Sequence, residues 1–197
     1  MRCILVIGID RSGTSCVAGI LYHLGINMGE KLYGPMKTNP KGHFEDQSFR
    51  STHVKHEQWV KKRVKEAQGL KIWGLKHPKL SRCGEKMVRL LKEQKVDVRV
   101  ITTERGLGSV SRSMQARNPN MKRNWKDNAL RAFNRWKDTV SRLTVPIMKV
   151  RYDDLIDYPG MKVKDIVDFC FEGLTQPTKK QIKAAIDFVD PKLRHWR

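Results

Sequence analysis

Apolar residues follow two rhythms along this chain. Residues 3–9, Cys-Ile-Leu-Val-Ile-Gly-Ile, form an unbroken aliphatic run, the pattern of a strand buried on both faces, and shorter runs of the same kind occupy residues 71–75, 97–103 and 146–151. Between the runs the spacing turns helical: Val17, Ile20, Leu21 and Leu24 mark a helix over residues 13–24 that Gly25 stops. The same spacing predicts helices at 47–67, 82–94, 107–116, 125–143, 163–171 and 179–188, and a polar loop containing Pro and Gly at 29–46. Strands alternating with helices pair in parallel through right-handed crossovers, so the expected fold is α/β, a three-layer sandwich with a central parallel sheet. Ligands of such folds sit at the carboxyl ends of the strands.

A chain of 197 residues with 39% hydrophobic content can close one core, so a single domain spanning 1–197 is expected. Residues 3–9 are too few for a signal-peptide core, and no run of about twenty apolar residues occurs, which predicts a soluble chain. Cys3, Cys16, Cys83 and Cys170 lie apart, without zinc-site spacing or the density of a disulfide scaffold. They are expected to be reduced core thiols of a cytoplasmic protein. Charge is the outlier: 40 Lys and Arg against 20 Asp and Glu leave a formal +20. Such a field draws anionic partners, whether nucleic acid, an acidic carbohydrate or a phosphate-rich cofactor.

The chemistry concentrates in "GIDRSGTS", Gly8 to Ser15, which joins the first strand to the first helix. Its glycines have the spacing of a nucleotide-binding P-loop, but that pattern places Lys directly after the second glycine, and here Gly13 is followed by Thr14 and Ser15. In a strand-loop-helix the loop amides and the positive end of the helix dipole converge on one anion. Thr14 and Ser15 add hydroxyl donors. Arg11 is the nearest fixed cation, and its forked guanidinium suits a pair of phosphate or sulfate oxygens.

Arg11-Ser12-Gly13-Thr14-Ser15 resembles the phosphosulfate loop, Lys/Arg-Ser-Gly-Thr-Ser/Thr, of the sulfotransferases that use 3'-phosphoadenosine-5'-phosphosulfate (PAPS). That family binds the cofactor's 3'-phosphate with an arginine at the end of a later strand and a serine eight positions on. In "VRVITTERGLGSVSRS" Arg105 and Ser113 have that spacing, although Gly106-Leu107 stands where Asp-Pro is frequent. "NPKGHFED", "WGLKHP", "VRYDDLID" and "FVDPKLRHWR" resemble, in order, further stretches of bacterial-type members. The resemblance implies the P-loop NTPase-like sulfotransferase fold. It also implies that Arg11, Ser12, Gly13, Thr14, Ser15, Arg105 and Ser113 bind the cofactor, that adenosine 3',5'-bisphosphate (PAP) is the product, and that no metal is required.

Sulfuryl transfer to a hydroxyl or amine sets the remaining expectations. Arg11 and the loop amides stabilise the leaving phosphate. Lys76, at the end of its strand, matches a lysine that the family places by the sulfuryl oxygens. A base must take the acceptor's proton. Glu45 matches the glutamate of several bacterial and Golgi-type members, whereas His77 has a suitable ordinary pKa but stands one position from the register of the histidine in cytosolic small-molecule enzymes. Both remain candidates, with Glu45 preferred; His43, Asp46 and Asp10 are lesser ones. Tyr152 to Leu155 are expected to cap and orient the next helix, and Trp125, Phe133 and Trp136 to sit in the core. Lys55 to Lys65 form a solvated helix face or meet an acidic acceptor, and Arg194 and Arg197 reach the 3'-phosphate or fray. The acceptor is an unassigned hydroxyl compound, an acidic carbohydrate among the candidates. Two rivals stand beside this expectation: a nucleotide or small-molecule kinase with a degenerate P-loop, which would depend on magnesium, and a basic nucleic-acid-binding protein, for which no aromatic-rich recognition motif is present.

Overall fold

The computed structural model describes residues 1–36, 39–49, 55–117, 120 and 124–193. Strands β1 (Arg2–Gly8), β2 (Ile72–Lys76), β3 (Asp97–Glu104) and β4 (Ile147–Arg151) form one parallel sheet in the spatial order β2-β1-β3-β4. The helices are α1 (Thr14–His23), α2 (His56–Glu66), α3 (Leu80–Glu93), α4 (Leu107–Arg117), α5 (Trp125–Ser141), α6 (Tyr152–Asp157), α7 (Pro159–Phe171) and α8 (Lys179–Phe188).

Successive side chains of a strand point to opposite faces, and β1 feeds two cores accordingly. Cys3, Leu5 and Ile7 join Trp73, Val98 and Val100 against the apolar faces of α2, α3, α4 and α5. Ile4 and Val6 join Ile101 and Val150 against α1, α6, α7 and α8. All of β1 is buried, which is why its sequence reads as a continuous apolar run and not as an alternation. Arg2 enters the strand by having every direction satisfied: it donates to Asp97 Oδ2 at 2.7 Å and to the carbonyls of Cys170 and Glu172 at 2.9 and 2.8 Å, tying β1 and β3 to the end of α7.

Two segments depart from the sequence expectation, and the loop between α1 and α2 has more internal order than its composition shows. The helix expected over 47–67 begins, in its described part, at His56; residues 50–54 lie outside the described residues. Residues 46–49 form a turn and not a helix: the Asp46 carboxylate accepts the Ser48 N–H at 2.8 Å and its carbonyl accepts the Phe49 N–H at 3.1 Å. The segment 29–46 contains no helix or strand among its described residues, as expected of a loop. It folds back on itself, with Leu32 bridging Asp46 antiparallel and the Tyr33 N–H donating to the Glu45 carbonyl at 2.9 Å. Finally, Tyr152 to Leu155 do not cap a later helix but form one of their own, α6, with Asp153 and Asp154 in its first turn. Tyr158, disfavoured from helical geometry by Pro159, separates α6 from α7.

The helices following the adjacent strands β1 and β3 pack on opposite faces of the sheet, α1 on one and α4 on the other. A crevice therefore opens between the carboxyl ends of these two strands. No helix among the described residues is long and apolar enough to cross a membrane. All four cysteines are free, and burial pushes the thiols of Cys16 and Cys170 up to about 12.

Ile4 is fully buried in the second core. Ile4→Ala is expected to lower the unfolding free energy by about 2–5 kcal/mol, read by urea denaturation with an unchanged slope. A loss below about 1 kcal/mol would show that the α1, α7 and α8 side of the sheet is not a closed core.

Candidate active site

The turn from β1 to α1 is built by what its residues exclude. Gly13 has φ 101, and a Cβ there would run into the Tyr152 ring; a Cβ at Gly8 would run into Thr103 Oγ1. Ser12 is wholly buried, and its hydroxyl donates to the Ile9 carbonyl at 2.7 Å, so the 2.6 Å bond to Thr103 is donated by the threonine. Ser12 therefore ties the loop to the end of β3, and its side chain does not line the cleft. Arg11 is left-handed at φ 71, a conformation that costs a non-glycine residue about 1–3 kcal/mol. It lies between a strand end and a serine that are both pinned.

Arg11 also answers for Ser113. The Arg11 Nε donates to Ser113 Oγ at 2.8 Å, and Ser113 is buried on α4. Arg105 instead donates from Nη1 to the Arg11 carbonyl at 3.3 Å and lays its guanidinium 4.7 Å from the centroid of the Tyr152 ring. Arg11 thus stands between Arg105 and Ser113, the pair whose eight-residue spacing suits one phosphate.

Arg11, Thr14 and Ser15 border two lobes of one cleft. The smaller lobe, about 120 Å³, is walled by Gly13, Lys41, Arg105, Tyr152, Ile156 and Phe188. The Gly13, Thr14 and Ser15 amides begin α1 and have no acceptor within the helix, so they and the dipole suit an anion. The larger lobe, about 390 Å³, contains Asp10, His43, Glu45, Lys76 and His77 beside Lys79, Arg82, Arg117 and Arg135.

Lys76 is the centre of the larger lobe. Only 2% exposed at the end of β2, its ammonium donates to Glu45 Oε1 at 2.5 Å and to Ser15 Oγ at 3.1 Å. Burial pulls it below the ordinary lysine range, with Glu45 opposing. His43 Nδ1 lies 3.8 Å from the same carboxylate oxygen. His77 Nδ1 accepts the Lys79 N–H at 3.2 Å, so the neutral ring carries its proton on Nε2. Burial lowers both histidines, and Lys76 lowers them further against Glu45. Asp46 does not line the cleft, being engaged with Ser48. Trp136 and Phe133 belong to the first core, as their spacing predicts. Part of the basic face of α2 is structural: Arg63 is buried, bonded to Asn27 Oδ1 at 2.6 Å and set over Trp73. Arg194 and Arg197 lie outside the described residues.

Sequence reasoning passed over Lys41, Tyr152 and Phe188 as wall residues. Lys41 lies inside the quoted "NPKGHFED" and could have been found there; it donates to the Phe188 carbonyl at 2.5 Å. Phe188 offered no such signal, since only the packing of α8 on α1 brings it to the loop.

No protein-family model matches the chain, and no curated protein matches it in sequence. Solved structures do. Retinol dehydratase in complex with androsterone and the inactive cofactor PAP aligns at a TM-score of 0.52 and 15% identity, covering 96% of this chain and 65% of that one. The fold is that of the sulfotransferases. A sulfotransferase from Alicyclobacillus acidocaldarius aligns at 0.49 and 10% identity over 90% of this chain and 84% of the other. Retinol dehydratase with retinol and PAP aligns at 0.47 and 14%, with coverage of 96% and 65%. The chain thus spans about two thirds of the retinol dehydratase length.

The sulfotransferase fold here half-buries four imidazoles, which has a consequence for stability. His23, His43, His56 and His77 are all lowered from 6.5, burial being the first cause at each. A group with a folded pKa below its unfolded one binds fewer protons when folded, so stability rises with pH through that interval. The melting temperature is expected to fall as pH drops from about 7 to about 5.5, and a His43→Asn/His77→Asn variant should show a shallower fall. A flat profile for the unaltered protein would contradict the half-buried, neutral state of these rings.

Proposed function

We propose that the chain is a sulfotransferase that moves a sulfuryl group from PAPS to an acceptor hydroxyl or amine. One observation carries this reading: a glycine loop without a lysine meets Arg105 across the β1/β3 crevice, with Lys76 and Glu45 in the adjoining lobe. The residues present fit such a cofactor. Arg11 and Arg105 offer two guanidinium groups for a nucleotide anionic at two positions, and Tyr152, Ile156 and Phe188 offer apolar walls for its nucleoside. PAPS, when bound, supplies the sulfuryl group and leaves as PAP.

Arg11 and the first amides of α1 hold the 5'-linked phosphate, each well-placed donor worth roughly 3–4 kcal/mol in the transition state. Arg105 takes the 3'-phosphate, and Ser113 positions Arg11 through its hydroxyl. Thr14 and Ser15 add hydroxyls at the junction of the lobes. Lys76 bears on the sulfuryl oxygens, and Glu45 receives the acceptor's proton. His77 is the rival base, but the hydrogen bond at its Nδ1 leaves the proton on Nε2, the wrong state for accepting one. Among the described residues no three His, Cys, Asp or Glu side chains are grouped to hold a metal ion; a metal-free reaction belongs to the proposal. So does a single cytoplasmic domain, for which the four free cysteines are the supporting observation.

At a hundredfold excess over its dissociation constant PAP is expected to stabilise the fold by about 2.7 kcal/mol, and 5'-AMP by less at the same concentration. Arg105→Ala should erase that difference. Equal shifts with PAP and 5'-AMP in the unaltered protein would argue against a 3'-phosphate site.

Glu45→Gln is expected to lower single-turnover transfer by about 10² to 10⁴ at saturating cofactor, and His77→Asn by much less, both read in EDTA well below the melting temperature. Because Glu45→Gln also leaves the buried Lys76 ammonium without its carboxylate, a fall in melting temperature accompanies the rate loss. A nearly active Glu45→Gln beside an inactive His77→Asn would reverse the assignment. Turnover of the unaltered protein that stops in EDTA and returns with magnesium would favour the kinase.

A further inference from the structure

The larger lobe is crowded with positive charge that the cofactor does not use. Lys79, Arg82, Arg117 and Arg135 come from the β2–α3 junction, α3, α4 and α5, and none of them borders the smaller lobe. Some helix-surface cations find a carboxylate one turn away, as Lys61 does with Glu57, Arg89 with Glu93 and Lys183 with Asp187, and others, such as Lys164 and Lys180, stand singly among the described residues. What sets this lobe apart is that four cations from separate elements line one concavity. The four cations of the lobe have no carboxylate partner among the described residues. Of the two carboxylates that border the lobe, Glu45 is held by Lys76, so Asp10 is the one carboxylate left to offset four cations. Four like charges around one concavity repel one another, and an anion entering it relieves that repulsion.

The rest of the wall narrows the chemistry. Its apolar members are Ile9, Pro78 and Ala132, too few to bury a flat hydrophobic acceptor. A volume of about 390 Å³ lies within the range of small-molecule sites. Resting on the proposed sulfotransferase activity, we infer that the acceptor is itself anionic, a saccharide bearing carboxylate or sulfate groups that Lys79, Arg82, Arg117 and Arg135 grip while its free hydroxyl faces Glu45. Guanidinium forks match the paired oxygens of either group.

Calorimetric titration of the full chain loaded with PAP tests this with three tetrasaccharides: tetragalacturonate, a heparin-derived tetrasaccharide, and neutral maltotetraose. At least one of the two anionic probes is expected to bind, and maltotetraose to bind at least about tenfold more weakly. Arg82→Gln/Arg135→Gln should weaken the anionic probe by about tenfold or more. Lys164→Gln/Lys180→Gln, the same charge loss on α7 and α8, should change it less than about twofold. Which anionic probe binds distinguishes carboxylate from sulfate recognition. Equal binding of maltotetraose, no binding of either anionic probe, or equal weakening in the two variants would overturn the inference. A single-stranded oligonucleotide of matched charge that binds more tightly, and loses that binding in Arg82→Gln/Arg135→Gln, would overturn it in favour of nucleic acid. PAP binding is read on the same samples. Its absence refutes the sulfotransferase proposal itself, whereas PAP binding with charge-insensitive saccharide binding refutes only the anionic acceptor.

Discussion

The buried Ser12 hydroxyl is the pin on which the site depends. It holds the Ile9 carbonyl on one side and the Thr103 hydroxyl on the other, so the places where the chain leaves β1 and β3 are joined by two short hydrogen bonds. Gly8 must lack a side chain for Thr103 to come this close, and Gly13 must lack one for Tyr152 to lie beneath the loop. With both flanks set, Arg11 has little conformational choice. Its left-handed backbone is the strained consequence, held because the surrounding contacts over-determine it.

A chain this basic must place its cations somewhere, and the fold handles them in three ways. Arg2 and Arg63 go inside, where Arg2 meets two carbonyls and an aspartate, and Arg63 meets an amide oxygen and an aromatic face. Helix surfaces pair theirs with carboxylates one turn away, at small individual gain. A third group lines the cleft at the carboxyl ends of the strands, where burial, Arg117 and Arg105 together push Arg11 below its ordinary range. A region where like charges crowd and are incompletely screened is prepared for an anion, because ligand charge replaces the repulsion.

Lys76 shows how a parallel sheet prepares a reactive group. Its strand is buried on both faces, so the final residue carries its ammonium into low dielectric instead of water. Such a charge persists only with partners, and Glu45 and Ser15 supply them from two other segments. The same contacts bring together, at one point, the anion loop, the strand-end cation and the candidate base. Their arrangement is rigid because each group satisfies another.

The strands, the layers and the anion loop were legible in the sequence, because each depends on local spacing: a continuous apolar run buries on both faces, and glycines around an arginine before a helix create an anion site whatever follows. Asp46 and Pro159 carried local signals too, an Asx turn and a helix boundary, which the broader helical periodicity outweighed at 47–67 and before α7. What no periodicity encodes is contact between distant segments. Glu45 meets Lys76 across 31 positions and Arg11 meets Ser113 across 102, and both depend on how strands stack and loops fold back. Local chain chemistry thus determined that this protein places a glycine loop and an arginine at an α/β crevice. Only tertiary packing decided which arginine holds Ser113, which carboxylate holds Lys76, and where the unpaired cations gather, since those choices follow from distances that sequence neighbours do not set.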